Sequence, residues 1–217
     1  MLNKNLREMH GKPLMAYTIE QALKSGLFEH VLVSTDSERI SSTAKILGAD
    51  SWFMRPAHMA SDESPKIPVI RHALLEAEKH YSRSFDVVFD LDATAPIRYV
   101  DNIAGAYRQF IEDDADILIT ASPSRKNPYF NMVESVNGRI RIVKELDKIP
   151  VYRQDAPQVF DMKADCIWKR KALLENDTLF TEKTSLYIVP EECSVDIDTA
   201  LDWEFVEFMI GKQIKIK

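Results

Sequence analysis

Residues 85–98 read FDVVFDLDATAPIR, and two further segments follow closely, VDNIAGAYRQFIEDD (100–114) and DILITAS (116–122). The first segment is a short run of Val and Phe, the composition of a buried strand, and it leaves the sheet at the turn residues Ala93-Thr94-Ala95-Pro96. The second carries apolar residues at helical spacing and ends in acidic residues, and the third is again apolar and extended. Strand, helix and strand joined by short links form the unit of a parallel sheet with helices on its faces.

The same order extends upstream. Gly11-Lys12-Pro13 introduces LMAYTIEQALKSG, with proline suited to a helix start and Gly26 to its stop. EHVLVSTD (29–36) is a β-branched run, Glu38–Gly48 an amphipathic helix closed by glycine, and SWFM (51–54) a short strand. A loop with Arg55, Pro56, Ser61, Asp62 and Ser64 leads to KIPVIRHALLEAEKHY (66–81), a helix with Pro65 and Pro68 at its entry. Together these predict an α/β fold with a doubly wound, mostly parallel sheet.

Downstream the pattern changes. In NMVESV-NG-RIRIVKEL, Asn137-Gly138 separates two extended runs, a strong hairpin signal. A polar stretch with Pro150 and Pro157 and a mixed region to Lys171 follow, so a β-rich insertion is expected over about residues 129–170 rather than a second domain. The chain closes with the strand TSLYIVP, the turn PEECSVDID and the helix TALDWEFVEFMIGK. A length of 217 residues fits one domain, 1–217.

Composition limits the function classes. The chain is 45% hydrophobic and 29% charged, and 28 basic residues against 34 acidic ones leave a net charge of −6. That balance argues against general affinity for nucleic acid or for an anionic membrane, which needs a basic excess. No apolar run is long enough to span a bilayer, and MLNKNLREMHGKPL lacks the apolar core of a secretory signal. Cys166 and Cys193 are too few for a disulfide framework and have no metal-ligand spacing, so a reducing, cytoplasmic setting is expected.

In open α/β sheets, ligands sit beyond the C-terminal ends of the strands. That rule selects Ser34, Thr35 and Asp36; Asp92, Thr94 and Arg98; Asn127 and Asn131; and Asp196 and Asp198. In SVDIDT the two aspartates alternate, so in extended chain both face one side, as a pair holding Mg²⁺ with substrate phosphates would. Equally, Asp198 stands where a helix cap would stand. Asp92 fits the ligand cleft better than Asp90, which lies deeper in its strand. Lys4, Arg7 and Lys12 form a basic run near the N-terminus, and Arg153-Gln154 in YRQDAP offers a fork for a carboxylate. The histidines lie singly, and no nucleophile elbow of an α/β-hydrolase is present.

Taken in order, Lys4-Asn5, GKPLMAYTIEQAL, VLVSTDSERI, RPAHMASD, LDATAPIR, NPYFN, YRQDAPQVF and SVDIDTALD resemble the cytidylyltransferases that activate sialic-acid-like sugars, the CMP-sialic acid synthetase (acylneuraminate cytidylyltransferase) family. LDATAPIR, SPKIPVIRHAL and RQDAP look most like its CMP-legionaminate synthetase branch. The resemblance covers residue 3 to about residue 208. It implies a nucleotide-diphospho-sugar-transferase-like fold and transfer of CMP from CTP to the anomeric hydroxyl of a nine-carbon keto-acid sugar, with release of pyrophosphate. It also implies that Lys4 and Asn5 contact the nucleotide and that Asp196 and Asp198 hold Mg²⁺ and carry catalysis. Asp92, Arg153 and Gln154 would seat the sugar, and the hairpin insertion would reach across a homodimer.

The chain departs from the family pattern at three places. The family's first strand and its ARxGSKG loop, whose backbone N–H groups meet the triphosphate, have no counterpart ahead of Lys4, so weak CTP binding is expected of a chain starting at Met1. Lys163 stands where asparagine is usual, where it would either pair with the sugar carboxylate or block the pocket. Cys193 replaces a commonly basic residue. The alternative expectations are an impaired, truncated paralogue that binds sugar or a partner only, and a glycosyltransferase using its DxD pair for a nucleotide-diphosphate sugar.

Overall fold

The structure is a computed structural model that describes residues 3–61, 64–148 and 150–212; Asp62 of the early loop lies outside them. Two short strands, β1 (Glu8–Met9) and β2 (Lys12–Pro13), pair as a small hairpin ahead of α1 (Leu14–Ser25). Helices α2 (Glu38–Ile46) and α3 (Lys66–Tyr81) precede β3 (Val87–Asp90). Next come α4 (Val100–Glu112), β4 (Ile117–Pro123), β5 (Val133–Val136) and β6 (Arg139–Ile142). The chain then forms β7 (Phe160–Lys169), α5 (Arg170–Glu175), β8 (Thr184–Ile188) and α6 (Ala200–Gly211).

The central sheet has the order β3-β7-β4-β8. β4 and β8 are parallel, and β7 is antiparallel to both β3 and β4, so β3, β4 and β8 share one direction with β7 against them. The strand period of two assigns the faces. Ile117 and Ile119 of β4, with Cys166 and Trp168 of β7, pack against Ile70 and Leu74 of α3 and Leu173 of α5. Leu118 and Ile167, paired across the two strands, point the other way onto Ala106 and Phe110 of α4. Helices therefore cover both faces, the doubly wound arrangement expected from the sequence.

Local chemistry explains the ends. Gly26 closes α1 in the left-handed region at φ 63, where its N–H donates to the Leu23 carbonyl at 3.3 Å. Asn137 and Gly138 take φ values of 53 and 78, the two positive angles that a tight hairpin turn needs, and β5 and β6 pair around them. Gly105 of α4 has a different reason: a Cβ there would lie 2.9 Å from Cζ of Tyr187 on β8. Gly105→Ala is therefore expected to cost about 1–3 kcal/mol through overpacking, despite alanine's better helix propensity. Urea denaturation checks this, and a variant as stable as the parent would show that the Tyr187 ring moves aside freely.

Three sequence expectations change. The mixed region before Lys171 contains β7, ten residues long and central in the sheet. The part of residues 129–170 set apart from the sheet thus ends before Phe160. FDMKADCIWK hides this strand because Asp161, Lys163 and Asp165 interrupt its first six residues, which leaves Cys166-Ile167-Trp168 as its one continuous apolar run. EHVLVSTD is extended but forms no ladder. Its pairing is one parallel bridge between Leu32 and Asp50, with Val33 N–H donating to Asp50 O at 2.8 Å and Asp50 N–H to Val31 O at 2.7 Å. SWFM forms no strand beyond that bridge. Residues 3–12 add no strand to the central sheet, and β3 is an edge strand.

Candidate functional site

The site lies where β3 ends at Asp90, beside the middle of β7, and where the SVDID segment passes. Its framework is a bulge. β7 pairs Cys166 with Ile119 and then Met162 with Ala121, so it has more residues than β4 over this step, and Lys163, Ala164 and Asp165 leave the ladder. Side chains take up the freed carbonyls: Lys66 Nζ donates to Ala164 O at 2.6 Å and Thr120 Oγ1 to Asp165 O at 2.9 Å. Bulges of this kind re-aim side chains. Here Lys163 and Asp165 are the side chains re-aimed.

Asp165 organises the loop after β3. One oxygen accepts the Asp92 N–H at 2.8 Å, and both accept the guanidinium of Arg98, from Nε and Nη2 at 2.7 Å each. Arg98, only 6% exposed, also donates to Gln21 Oε1 at 2.9 Å, Thr18 Oγ1 at 3.2 Å and Asp92 O at 3.0 Å. This fork ties α1, the DATAPIR loop and β7 together. Asp165 and Lys66 were not selected from the sequence. No motif marks a single acidic residue in an unrecognised strand, or a lysine beside a helix-entry proline.

Asp92 accepts from both the N–H and the hydroxyl of Thr94 at 2.7 Å, an Asx turn that fixes DATAP. Burial pushes its carboxyl up, but the Thr94 N–H, Lys66 and Arg98 outweigh that and hold it below the usual range. Asp90 behaves oppositely: burial raises it despite the Lys66 ammonium 2.6 Å away. Lys66 lies 3.9 Å from Asp92, so one cation serves both carboxylates.

Ser194 ends a short 3-10 turn, Glu191–Ser194, and the chain then passes over Ile197, which is fully buried against Met9, Leu14 and Trp203. Alternation then turns Asp196 and Asp198 away from that core. Oδ2 of Asp196 is 3.1 Å from the Lys163 ammonium, while Oδ1 is enclosed and accepts no hydrogen bond. Burial raises the Asp196 carboxyl, Lys163 lowers it, and the nearby charges of Asp92 and Asp165 raise it further. Asp198 is not the helix cap. That position belongs to Thr199, which accepts from Asp202 N–H while Asp202 accepts in return. Asp198 instead pairs with Lys4 at 3.2 Å, and Lys4 also donates to Ile197 O at 2.6 Å. Lys4 is thereby placed against SVDID by a short helical turn, Lys4–Leu6, in which the Asn5 side-chain oxygen is buried without a partner.

The remaining candidates divide. Lys163 is buried, and its ammonium is committed to Asp196 and Ser194 O. Arg153 and Gln154 are exposed in a separate segment, where Arg153 donates to Ser124 O at 3.0 Å. Asn127 pins NPYFN to this segment by donating to Pro157 O at 3.0 Å. Thus Asp92, Lys163 and Asp196 come together around Asp165, Lys4 joins Asp198, and Arg153-Gln154 stand apart. Among the described residues no group of three or more His, Cys, Asp or Glu side chains could hold a metal by itself. Two carboxylates, one with an unused enclosed oxygen, fit a hard ion that completes its shell with phosphate oxygens and water.

This chain belongs to the cytidylyltransferase family, whose model matches residues 1–205. It is 46% identical over 210 residues to a CMP-N,N'-diacetyllegionaminic acid synthase of Campylobacter jejuni, covering 96% of this chain and 88% of the relative. It is 44% identical over 212 residues to the post-translational flagellin modification protein B of Campylobacter coli, covering 97% and 89%. Among solved structures, a CMP:2-keto-3-deoxy-manno-octonic acid synthetase complexed with CTP superposes with a TM-score of 0.72 at 12% identity, covering 99% of this chain and 94% of that one. The last is a likeness of fold.

Proposed function

We propose that this chain transfers CMP from CTP to the anomeric hydroxyl of a nonulosonic acid of the legionaminic type, releasing pyrophosphate. The observation that carries this reading is the 46% identity, over nearly the whole chain, to a CMP-N,N'-diacetyllegionaminic acid synthase, joined to a site whose carboxylates converge at the strand ends. Asp196 and Asp198 would hold Mg²⁺, which when bound supplies neutralisation of phosphate charge. Around it the chain's own residues orient the reactants. Lys4 and Asn5 face the nucleotide from the N-terminal turn. Asp92, fixed by Thr94 and Asp165, offers its second oxygen to a sugar hydroxyl, and Arg153-Gln154, which stand apart from the carboxylates, would seat the acid group once that segment is drawn to the site.

The surface supports a homodimer as the working form. Val133, Ile140, Val151 and Tyr152 are each more than half exposed on the hairpin and the segment that follows it, an apolar area suited to a second copy. Cys166 and Cys193 are free and buried, as suits a cytoplasmic enzyme. Among the described residues no helix is long and apolar enough to cross a membrane.

Competition among nucleotides tests the reaction class. With Mg²⁺, N,N'-diacetyllegionaminic acid and equal CTP, UTP, ATP and GTP, mass spectrometry is expected to find the CMP-sugar alone. A UMP- or AMP-sugar as the main product would refute the assignment.

A further inference from the structure

Both aspartates of SVDID are paired with lysines from distant parts of the chain, and the two pairs differ. Lys4–Asp198 is a surface pair, with the Asp198 side chain 78% exposed, and water screens it. Lys163–Asp196 is not: the Lys163 side chain is 7% exposed and its ammonium meets Asp196 Oδ2 and Ser194 O. The bulge in β7 sets Lys163 there. An ammonium buried so deeply is costly to strip of its partner, and an opposite charge held this close in a poorly solvated place attracts strongly. Lys163 is therefore not extended toward a substrate carboxylate. It is a cation already seated on one of the two carboxylates that a divalent ion would need.

We propose that Lys163 is the resident cation of this site: its ammonium neutralises Asp196 in the free protein, and a divalent ion gains Asp196 only against it. This rests on the reading of Asp196 and Asp198 as the metal-holding pair. Lys163 then sets how weakly the free protein takes a divalent ion. With Lys163 seated on Asp196, the charge of that carboxylate is already balanced in the free site, and a metal gains less there than at a bare carboxylate. The triphosphate of CTP adds charge and oxygen ligands of its own, so tight metal binding becomes conditional on the nucleotide.

The test is titration of the whole protein with Mn²⁺ alone, reading free Mn²⁺ by electron paramagnetic resonance, for the parent, Lys163→Met, Lys163→Asn and Lys163→Arg. Lys163→Met and Lys163→Asn are expected to bind Mn²⁺ about tenfold or more tightly than the parent, while Lys163→Arg, keeping the charge, stays as weak. Thermal melts give a second reading. Without metal the Met variant melts below the parent because Asp196 is left unpaired, and Mn²⁺ raises its melting point by more than it raises the parent's. Mn²⁺ affinity in Lys163→Met and Lys163→Asn within twofold of the parent would overturn the proposal. Asp196→Asn in the Lys163→Asn background separates the two layers. If it abolishes the Mn²⁺ site while Lys163→Asn alone changes nothing, only the role of Lys163 falls. If Mn²⁺ binds as before without Asp196, the metal reading of that carboxylate falls with it.

Discussion

Asp198→Asn is expected to lower the rate of pyrophosphate release by about a hundredfold to a thousandfold while leaving the melting temperature unchanged. A metal-held phosphate contributes several kcal/mol of charge stabilisation, and each 1.36 kcal/mol is tenfold in rate. The stability half follows from geometry: Asp198 is largely exposed, its pair with Lys4 is a surface pair, and the cap of α6 is made by Thr199 and Asp202 without it. Asp196→Asn should lose activity to the same degree and also stability, because it leaves the Lys163 ammonium buried beside a neutral amide. Initial rates with saturating CTP, set beside thermal melts of each variant, check both halves. Full activity in Asp198→Asn would remove it from the catalytic group. Thr199→Ala supplies the contrast, with about 1 kcal/mol lost from the cap and the rate retained.

The largest effect on stability is expected at Arg98. Replacing it with methionine keeps much of the apolar bulk but leaves Asp165 charged, buried and without its fork, and such a break costs about 3–5 kcal/mol. Burial here is nearly complete, with Arg98 at 6% and the Asp165 side chain at 15% exposure, so solvent offers little compensation. Arg98→Lys should recover little of the loss, because an ammonium cannot occupy both Asp165 oxygens and also reach Gln21, Thr18 and the Asp92 carbonyl. Denaturant titration reads these losses. A cost below about 1 kcal/mol for Arg98→Met would mean that the fork is not what holds the DATAPIR loop to α1 and β7.

Much of this architecture is legible from one-dimensional patterns. β4 and α4 announce themselves because ILITAS opens on three consecutive large apolar residues and carries no charge, and VDNIAGAYRQFIE has one apolar face, which meets β4 and β7 at Phe110. The hairpin follows from Asn137-Gly138, where two positive φ values are needed. β7 escaped because its first half carries Asp161, Lys163 and Asp165. Lys163 and Asp165 are polar because the strand is bulged there and faces the site, so the feature that builds the site hides the strand, while Asp161 stays in the ladder opposite Ser122 and is exposed. EHVLVSTD errs the other way. Its composition is that of a strand, yet a ladder needs a neighbour, and the structure pairs it only at the Leu32–Asp50 bridge.

The site divides along similar lines. Alternation alone placed Asp196 and Asp198 on one side of SVDID, and strand-end position alone selected Asp92 and Arg98. Between a cap and a metal ligand, spacing could not choose for Asp198, since both uses ask for a short acidic residue before a helix. The hydrogen bond from Asp202 N–H to Thr199 Oγ1 decides against the cap. Lys163, Asp165 and Lys66 act through contacts across the sheet, with partners 33, 67 and 24 positions away, and no local pattern encodes such pairings.

Acceptor sugar and nucleotide together define the reaction. Pyrophosphate release from CTP and Mg²⁺, followed with N,N'-diacetyllegionaminic, pseudaminic, N-acetylneuraminic and 2-keto-3-deoxy-manno-octonic acids in parallel, tests it most directly. Release is expected with the legionaminic acid at a kcat/KM about tenfold or more above the others, the scale on which a pocket separates sugars by shape and a few hydrogen bonds. Equal or faster release with the octonic acid, or none with any nonulosonic acid from a folded protein, would contradict it.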